Sequence, residues 1–374
     1  MSNIPVSSPS LGGSEEDYLV RCVREGWISA RSPWIERFEE ALAARVGRRY
    51  AVAVSSGSAA LEVAVAALEI GPDDEVILPA HTIITCAQAV IRAGATPVLV
   101  DSDVQSWGID PAMIEPRLTT RTRAIIVPHL YGLPTDMTAV LARADAAGVA
   151  VIEDAAQMIG ARCRDRPCGS FGAVSTTSFF ANKNLTTGEG GMVFTDDPAV
   201  AARARAYRDL GSQPHRRFVH ESSGWNCRMT GLQAALGVAQ LEGLDERLRR
   251  KRALGLLYRD ALQDLHALLL PPPTLPQGDN SYWACAMLLR DAVADDVDRL
   301  LAGLADEGVE ARPLFWPLHW QPIYQRESRF AGEHYPVAES LSHRGFYMPS
   351  GSDLSRHDVL RACEALRRVV MGLT

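Results

Sequence analysis

SFFANKNLTTGEGGMVF, residues 178–194, is the stretch that decides the fold. It begins and ends in short apolar runs that are predicted strands. Lys183 follows the first run by about three residues and precedes a turn rich in threonine and glycine. Such glycines predict a tight turn whose backbone lies near a ligand. An amine held there can form a Schiff base with an aldehyde cofactor, although a lysine in a surface loop would show the same local sequence.

Lysine is scarce in the rest of the chain. Of the 38 basic residues, 36 are arginine, and the two lysines are Lys183 and Lys251. A position that keeps lysine in such a chain is expected to need an amine, because arginine cannot supply one in neutral form. Lys251 sits in the charged helical run RLRRKRAL, so we predict that it lies on a solvated helix face.

Short apolar runs alternate with helical patterns over the first two thirds of the chain. The predicted strands include YAVAV, EVILP, TPVLV, RAIIVP and VAVIED, and helical patterns such as SAALEVAVAALEI and AVLARADAAG lie between them. This alternation predicts an α/β fold with a mainly parallel central sheet and helices on both faces.

The pattern changes after about residue 230. GLQAALGVAQLEGLDERLRRKRALGLLYRDAL predicts one long or kinked helix, and the proline-rich LLLPPPTLPQGDN follows it. A strand in SYWACAMLLR and two further helices predict a smaller α+β unit. We therefore predict a large domain at 1–245, which includes the N-terminal segment, and a small C-terminal domain at 246–374.

Two further groups of residues are candidates for a site. Ser56, Gly57 and Ser58 follow the first strand and open a helix, where free N–H groups bind phosphate and glycine allows close approach. A serine that merely caps a helix would give the same sequence. Glu153 and Asp154 end a buried parallel strand, the position at which open α/β sheets bind ligands, although a helix cap would also explain them.

Together these features form a phosphate cradle, a carboxylate and a lysine, in that chain order. Pyridoxal phosphate needs N–H donors for its phosphate, a carboxylate for its pyridine nitrogen and a lysine for its aldehyde. The sequence contains neither a Walker loop nor Gly-x-Gly-x-x-Gly after a first strand. No group of histidines and carboxylates has the spacing of metal ligands, so we expect no metal.

The composition limits the possible binding partners and cellular location of the protein. The 374 residues carry a formal net charge of −7, which argues against a nucleic-acid or anionic-membrane partner. Seven scattered cysteines without a Cys-x-x-Cys pair, and an N-terminus without a signal-peptide pattern, predict a cytoplasmic protein with reduced thiols. No run approaches the length of a membrane span.

These residues also resemble a known family. SSGSAAL, EDAAQ, SFFANKNLTTGEGGM, WNCRMTGLQAALGVAQLE and RPLFWPLHWQPIY look like segments of the DegT/DnrJ/EryC1/StrS sugar aminotransferases. These are fold type I pyridoxal phosphate enzymes, and the resemblance extends over residues 4–370. Within the family, SFFANKNLTTGEGG and RPLFWPLH look most like the GDP-perosamine synthases, which aminate GDP-4-keto-6-deoxymannose.

The resemblance implies roles at matching positions. Lys183 would hold the cofactor aldehyde, Asp154 would pair with the pyridine nitrogen, and Gln157 would bond the ring hydroxyl. The implied phosphate ligands are Gly57, Ser58 and Ser178. Ser56 is also predicted to bind the cofactor.

A partner subunit is also implied. Asn226, in the Asn-x-Arg-Met motif, would reach the cofactor phosphate of the neighbouring subunit, so the resemblance implies a homodimer with shared active sites. Family dehydratases that remove a sugar hydroxyl carry histidine at the position of Lys183, which disfavours that branch.

One position departs from the family pattern. An aromatic ring often stacks on the cofactor where this chain has Ile83. His81 lies two residues earlier, and period 2 would put both side chains on one strand face, so we predict that His81 compensates. A packed or loop histidine is the alternative.

The segment from Arg312 to His319 is rich in aromatic and cationic groups. It is expected to stack a base or sugar and to hold a diphosphate, although packing in the small domain would also explain its aromatic residues. The predicted substrate-binding residues are Asn182, Arg312, Phe315, Trp316 and His319.

The leading hypothesis is transamination of a nucleotide-linked 4-keto-6-deoxyhexose, best matched by GDP-4-keto-6-deoxymannose, with L-glutamate as amino donor. A second hypothesis keeps the cofactor but changes the acceptor to a 3-keto sugar, a dTDP- or UDP-linked sugar, or a cyclitol ketone of secondary metabolism. A third is a non-catalytic regulatory homologue that binds pyridoxal phosphate.

Overall fold

The computed structural model describes residues 3–213, 216–290 and 297–373. A seven-stranded sheet forms the centre of its larger part. The strands are β1 (Tyr50–Val54), β2 (Glu75–Pro79), β3 (Thr96–Val100), β4 (Thr122–Pro128), β5 (Ala150–Asp154), β6 (Val174–Ser178) and β7 (Gly191–Thr195). Their order across the sheet is β1-β7-β6-β5-β4-β2-β3. β7 runs antiparallel to both of its neighbours, and the remaining pairs are parallel.

This topology brings the carboxyl ends of β1, β4, β5 and β6 to one edge of the sheet. Because β7 is antiparallel to both β1 and β6, those two strands run in the same direction. Ligands of open α/β sheets bind at this edge. The phosphate cradle, the carboxylate and the lysine segment predicted above all follow strands that end there.

Both faces of the sheet are buried. In β2, Val76 and Leu78 pack in one core cluster and Ile77 packs in another, because successive side chains of a strand point to opposite faces. The helices that cover these faces and the remaining helices are α1 (Glu15–Arg24), α2 (Pro33–Val46), α3 (Gly57–Ala67), α4 (Ile84–Arg92), α5 (Met137–Ala147), α6 (Pro198–Arg208), α7 (Gly231–Glu242), α8 (Leu244–Leu262), α9 (Val297–Asp306), α10 (Pro322–Arg326), α11 (Pro336–Arg344) and α12 (Arg356–Leu373). Helices α3, α4 and α6 cover one face, and α1, α2, α5 and α7 cover the other. The predicted α/β class of fold type I is confirmed.

A smaller antiparallel sheet lies in the C-terminal part. Its strands are β8 (Leu268–Leu269), β9 (Cys285–Leu289), β10 (Arg312–Pro313) and β11 (Gly345–Met348), in the order β8-β9-β11-β10. Side chains of α8, α9 and α12 share its core. Ile4 also packs in this core and pairs with Val309, so the start of the chain contacts the smaller sheet. The domain boundary at residue 245 stays a prediction.

Short hairpins and turns complete the described secondary structure. The hairpins pair Arg162–Cys163 with Arg166–Pro167, Ser212–Gln213 with Arg216–His220, and Thr274–Leu275 with Gly278–Asp279. The 3₁₀ turns are Pro111–Met113, Glu115–Arg117 and Leu318–Trp320.

The helix predicted after residue 230 is divided into α7 and α8 at Gly243. Thr230 and Gln233 form a capping box at the start of α7, in which each side chain accepts the other residue's backbone N–H. The two helices pack in different cores: most of the buried apolar residues of α8 lie in the core of the smaller sheet, whereas those of α7 pack against the larger sheet.

The prediction that Lys251 lies on a solvated face is wrong, because this residue is only 4% exposed. Arg247, Lys251 and Tyr258 are all buried, and their spacing places them on one face of α8. The neighbouring Arg249 and Arg250 are more than half exposed on the other face. The helical period therefore turns one charged residue of the run toward the core.

All seven cysteines are buried free thiols, in agreement with the prediction that they serve as small core residues. No helix within the described ranges is both long enough and apolar enough to cross a bilayer.

Candidate active site

A cavity of about 430 Å³ opens at the carboxyl edge of the larger sheet. Residues that follow β1, β4, β5 and β6 form one side of it. Pro313, Phe315 and Tyr347, from the C-terminal part of the chain, form the other side. The cavity therefore lies where the two sheets of the chain approach each other, and most of its polar groups come from the side of the larger sheet.

Lys183 projects into this cavity from the turn after β6. Its Nζ lies 4.2 Å from the centroid of the Trp283 ring, an arrangement in which the ring face attracts a cation. Burial lowers the pKa of Lys183 to about 8, the negative charge of Asp154 opposes that shift, and Lys251 adds to it. An amine with such a pKa can both accept and donate a proton near neutral pH.

Asp154 ends β5 and lies on the cavity wall. Its carboxylate accepts the backbone N–H of Ala156 at 3.0 Å, and the thiol of Cys86 lies 3.7 Å from its other oxygen. Burial raises the pKa of Asp154, while the Ala156 N–H and the positive charge of Lys183 oppose that shift. Asp154 therefore places a buried carboxylate on the wall of the cavity that Lys183 also lines.

The start of α3 forms a cradle of backbone N–H groups. The Ser56 side chain caps the helix by accepting the N–H of Ala59 at 3.1 Å. A Cβ added to Gly57 would lie 2.6 Å from the Cβ of Ser178, so a larger residue cannot be accommodated there. The N–H groups of Gly57 and Ser58 belong to the first turn of the helix and lack intrahelical acceptors, which suits them to bind an anion.

Gln157 lines the cavity one turn after Asp154. Its Oε1 already accepts the backbone N–H of Tyr131. The amide group is thereby oriented with its NH₂ available as a donor, because the oxygen is the atom held by the protein.

Several predicted site residues come together in this cavity, although their roles stay predictions. Those on its wall are Ser56, Gly57, Ser58, Asp154, Gln157, Ser178, Asn182, Lys183 and Phe315. Ile83 also lines the cavity and is 36% exposed.

Other predicted site residues lie outside the wall. Arg312 pairs with Glu310, Trp316 is 49% exposed, and the His319 Nε2 lies 3.0 Å from a Glu339 oxygen. These three side chains contact groups of their own C-terminal segment, and their substrate-binding roles stay predictions. Asn226 is exposed and lies outside the cavity of its own chain.

His81 is fully buried behind the cavity, and burial lowers its pKa to about 3. Its Nε2 lies 3.2 Å from the Tyr131 hydroxyl, which accepts the Phe315 N–H at 2.8 Å. His81 and Ile83 do not share a strand face as the sequence argument assumed, because β2 ends at Pro79. The neutral histidine supports Tyr131 from behind, while Ile83 alone reaches the wall.

The sequence reasoning missed Tyr131 and Trp283. Tyr131 follows β4 at the same sheet edge as Asp154, so the rule that ligands bind at strand ends would have found it. Trp283 precedes β9 in the C-terminal part, far from the lysine segment in sequence. Its indole N–H donates to the Asn182 carbonyl at 3.0 Å, and no local sequence pattern predicts this contact.

The structure also brings together three side chains of the types that bind metals, although their spacing in the sequence does not predict a metal site. Atoms of His129, Glu153 and Cys168 lie within 4.8 Å of one another. Two of the three already bond to protein groups: His129 Nδ1 accepts the Thr135 N–H, and Glu153 accepts backbone N–H groups at 2.6 and 2.7 Å. This buried cluster braces the strand end beneath Asp154.

Comparison with known proteins agrees with this geometry. A profile of the DegT/DnrJ/EryC1/StrS aminotransferase family matches residues 9–367. The chain belongs to this family. The resemblance noted in the sequence is confirmed, and the protein is an aminotransferase.

Two similar relatives of this aminotransferase are GDP-perosamine synthases. That of Escherichia coli O157:H7 is 38% identical over 366 residues, which cover 98% of each chain. That of Caulobacter vibrioides is 39% identical over 375 residues, which cover 99% of this chain and 100% of the relative. The crystal structure of S. venezuelae DesV in complex with a ketimine intermediate is 36% identical, with a TM-score of 0.88, and covers 95% of this chain and 94% of that one.

Proposed function

We propose that this aminotransferase uses pyridoxal 5'-phosphate to transfer an amino group from L-glutamate to a nucleotide-linked 4-keto-6-deoxyhexose. The observation that carries the proposal is the convergence of the α3 N-terminus, Asp154 and Lys183 in one cavity. The GDP-linked acceptor, GDP-4-keto-6-deoxymannose, is inferred from the similarity to GDP-perosamine synthases. The product would be GDP-perosamine.

The residues present fit the cofactor. The cradle at Gly57 leaves no space for a Cβ, as expected where backbone N–H groups must approach a phosphate. Asp154 is buried, yet its carboxylate faces the cavity that Lys183 enters. A buried carboxylate and a buried amine on one cavity are unfavourable unless a ligand or each other satisfies them, and pyridoxal phosphate has groups for both.

Pyridoxal phosphate, when bound, supplies an aldehyde that carries amino groups and a pyridine ring that takes up electrons. The first turn of α3 and the Ser178 hydroxyl would hold the phosphate. Asp154 would keep a proton on the ring nitrogen, and the NH₂ group of Gln157 would donate to the ring hydroxyl. The Lys183 Nζ would hold the aldehyde carbon and then move the proton at the carbon that gains or loses nitrogen, which its pKa of about 8 permits.

The acceptor sugar is expected to occupy the aromatic side of the cavity, near Phe315 and Tyr347. The deciding experiment supplies the protein with pyridoxamine phosphate and offers GDP- and dTDP-linked 4-keto-6-deoxyhexoses, then a UDP-linked 3-keto sugar and a cyclitol ketone. We expect the GDP-linked sugar to gain an amino group fastest, as identified by product mass in a single turnover.

The same assay tests the alternatives. Faster amination of a 3-keto, dTDP- or UDP-linked sugar, or of a cyclitol ketone, would show that the proposed acceptor is wrong. Transamination would then remain the proposed reaction. Failure to aminate any of them, together with no exchange between L-glutamate and 2-oxoglutarate, would support the non-catalytic regulatory homologue.

We also propose a homodimer whose two active sites are shared. Asn226 is exposed outside its own cavity, beside Trp225, which is 65% exposed. Leu210, whose N–H donates to the Trp225 carbonyl at 3.1 Å, is also 44% exposed, and adjoining exposed apolar residues mark surfaces that another protein chain covers. Asn226 would then reach the phosphate of the partner's cofactor. We further propose a cytoplasmic location, because all seven cysteines are free thiols.

Subunit mixing tests the shared site. A Lys183→Ala chain keeps Asn226, and an Asn226→Ala chain keeps Lys183, so one site of each mixed dimer regains both residues. If Asn226→Ala alone is nearly inactive, random mixing should restore activity to about a quarter of the wild-type level, because half of the dimers are mixed and each has one complete site. Activity no higher than the sum of the two parents would contradict sharing through Asn226.

A further inference from the structure

Of the two lysines of the chain, one lines the cavity and the other lies behind it. Lys183 enters the cavity from the turn after β6, and Lys251 lies on the buried face of α8. Trp283 lies between them: its ring faces the Lys183 Nζ at 4.2 Å, and its carbonyl accepts a hydrogen bond from the Lys251 Nζ at 2.8 Å. In a chain with 36 arginines, the two positions that keep an amine are thus joined through one residue.

Helix α8 supports the lysine turn at two points. Arg247 donates from Nε to the Asn184 carbonyl at 3.0 Å, and Lys251, one helical turn further, holds the Trp283 carbonyl. The Trp283 indole N–H in turn donates to the Asn182 carbonyl at 3.0 Å. The residues on both sides of Lys183 are therefore fixed by contacts that lead back to the same face of α8.

We propose that Lys251 is a positioning residue for the reaction at Lys183, holding through the Trp283 carbonyl the indole ring that covers the reactive amine. This inference rests on the proposed function of Lys183. Lys251 is separated from the cavity by Trp283, so it acts through that residue and through its charge.

The charge of Lys251 has a second consequence. The charged groups that act on Lys183 are Asp154, which raises its pKa, and Lys251, which lowers it. Burial lowers the pKa of Lys251 to about 8, and the neighbouring Cys285 opposes that shift. A cation behind a buried lysine disfavours a second charge, so Lys251 increases the neutral, nucleophilic fraction of Lys183.

Nuclear magnetic resonance on the cofactor-free protein tests this directly. With lysine labelled by ¹⁵N at Nζ, the wild type has two lysine side-chain signals and Lys251→Met has one, that of Lys183. We expect Lys183 in Lys251→Met to titrate at least about 0.5 pH unit higher than in the wild type, because the neighbouring charge is gone. The matched control is Arg249→Met, which removes an exposed cation from the same helix and should leave the titration of Lys183 unchanged.

Lys251→Arg provides the second variant. It keeps a cation and a donor for the Trp283 carbonyl, so Lys183 should titrate no higher than in the wild type. With pyridoxal phosphate added, the pH at which Lys183 captures the cofactor at half its maximal rate should rise in Lys251→Met and stay low in Lys251→Arg.

An unchanged titration of Lys183 in folded Lys251→Met would overturn the proposal, even if that variant lost stability. If Lys251→Met does not fold, Lys251→Arg decides. A Lys183 that titrates at a higher pH in Lys251→Arg than in the wild type would overturn the proposal, and a Lys183 that titrates no higher would support it. The outcome is independent of the proposed function, because the titration needs neither cofactor nor substrate. Transamination by a variant without Lys183 would contradict the proposed function of Lys183. The proposed effect of Lys251 on the titration of Lys183 would still hold.

Discussion

Lys183→Arg is expected to abolish transamination, lowering the rate by at least about 10⁴-fold, because the guanidinium keeps the positive charge but cannot release a proton near neutral pH. The substitution also preserves the cation that faces the Trp283 ring. The measurements are single-turnover amination of the keto sugar and the mass of the protein after borohydride reduction with pyridoxal phosphate. The wild type should gain the mass of the cofactor at residue 183, and the variant should not.

The pH dependence of this capture follows from the lowered pKa of Lys183. With a pKa of about 8, about a quarter of the amine is neutral at pH 7.5, against about 0.1% at the ordinary lysine value. Capture should therefore rise as the pH passes through 8 and level off above it. Lys183→Ala serves as a second variant without a cation. Turnover above about 1% of the wild-type rate in either variant would remove Lys183 from its assigned role.

Asp154→Asn is expected to lower the rate by about 10²- to 10⁴-fold while leaving the fold intact, because an amide cannot stabilise a protonated ring nitrogen. Stability should change in the opposite direction. Burial raises the pKa of Asp154, so above that pKa the ionised carboxylate destabilises the cofactor-free fold, and asparagine removes this penalty. The melting temperature of the cofactor-free variant should equal or exceed that of the wild type at pH 7.5.

Glu153→Gln is the matched control, since it removes the neighbouring carboxylate on the other face of β5. Glu153 accepts backbone N–H groups of Gly169 and Phe171 and lies 3.0 Å from the His129 Nε2. Replacing it should destabilise the protein by about 2 kcal/mol, because the amide NH₂ cannot accept a hydrogen bond and one of the two buried backbone N–H groups loses its acceptor. The rate per folded molecule should fall much less than in Asp154→Asn. If both variants lost activity in proportion to stability, Asp154 would be a structural residue only.

Local sequence was sufficient for the central architecture. A continuous apolar run such as EVILP predicts a strand that is buried on both faces. The structure agrees, because Val76 and Ile77 pack in different core clusters. Asp154 and Lys183 could be selected for a similar reason. Each follows a predicted parallel strand, and parallel strands end at a common edge whatever the rest of the fold does.

The prediction that Lys251 lies on a solvated face was wrong because the sequence did not show which face of α8 is buried. The run RLRRKRAL is charged throughout, and composition alone gives no reason to turn one of its residues inward. Only the packing of α8 beneath the smaller sheet determines which face is buried, and that face carries Arg247, Lys251 and Tyr258. The argument that His81 and Ile83 share a strand face is wrong for a related reason, because β2 ends at Pro79, before both residues.

The sequence by itself therefore determined the parallel sheet, the family and the residues at the strand ends, since strand periodicity and turn chemistry act within a few neighbouring residues. Only the tertiary structure decided that Trp283 covers Lys183, that Lys251 stands behind Trp283, and that His81 lies behind Tyr131. The Lys251–Trp283 and His81–Tyr131 contacts join residues 32 and 50 positions apart, and Lys183 and Trp283 lie still farther apart in the sequence. Their existence depends on how the smaller sheet and α8 pack against the larger sheet, which no local pattern specifies.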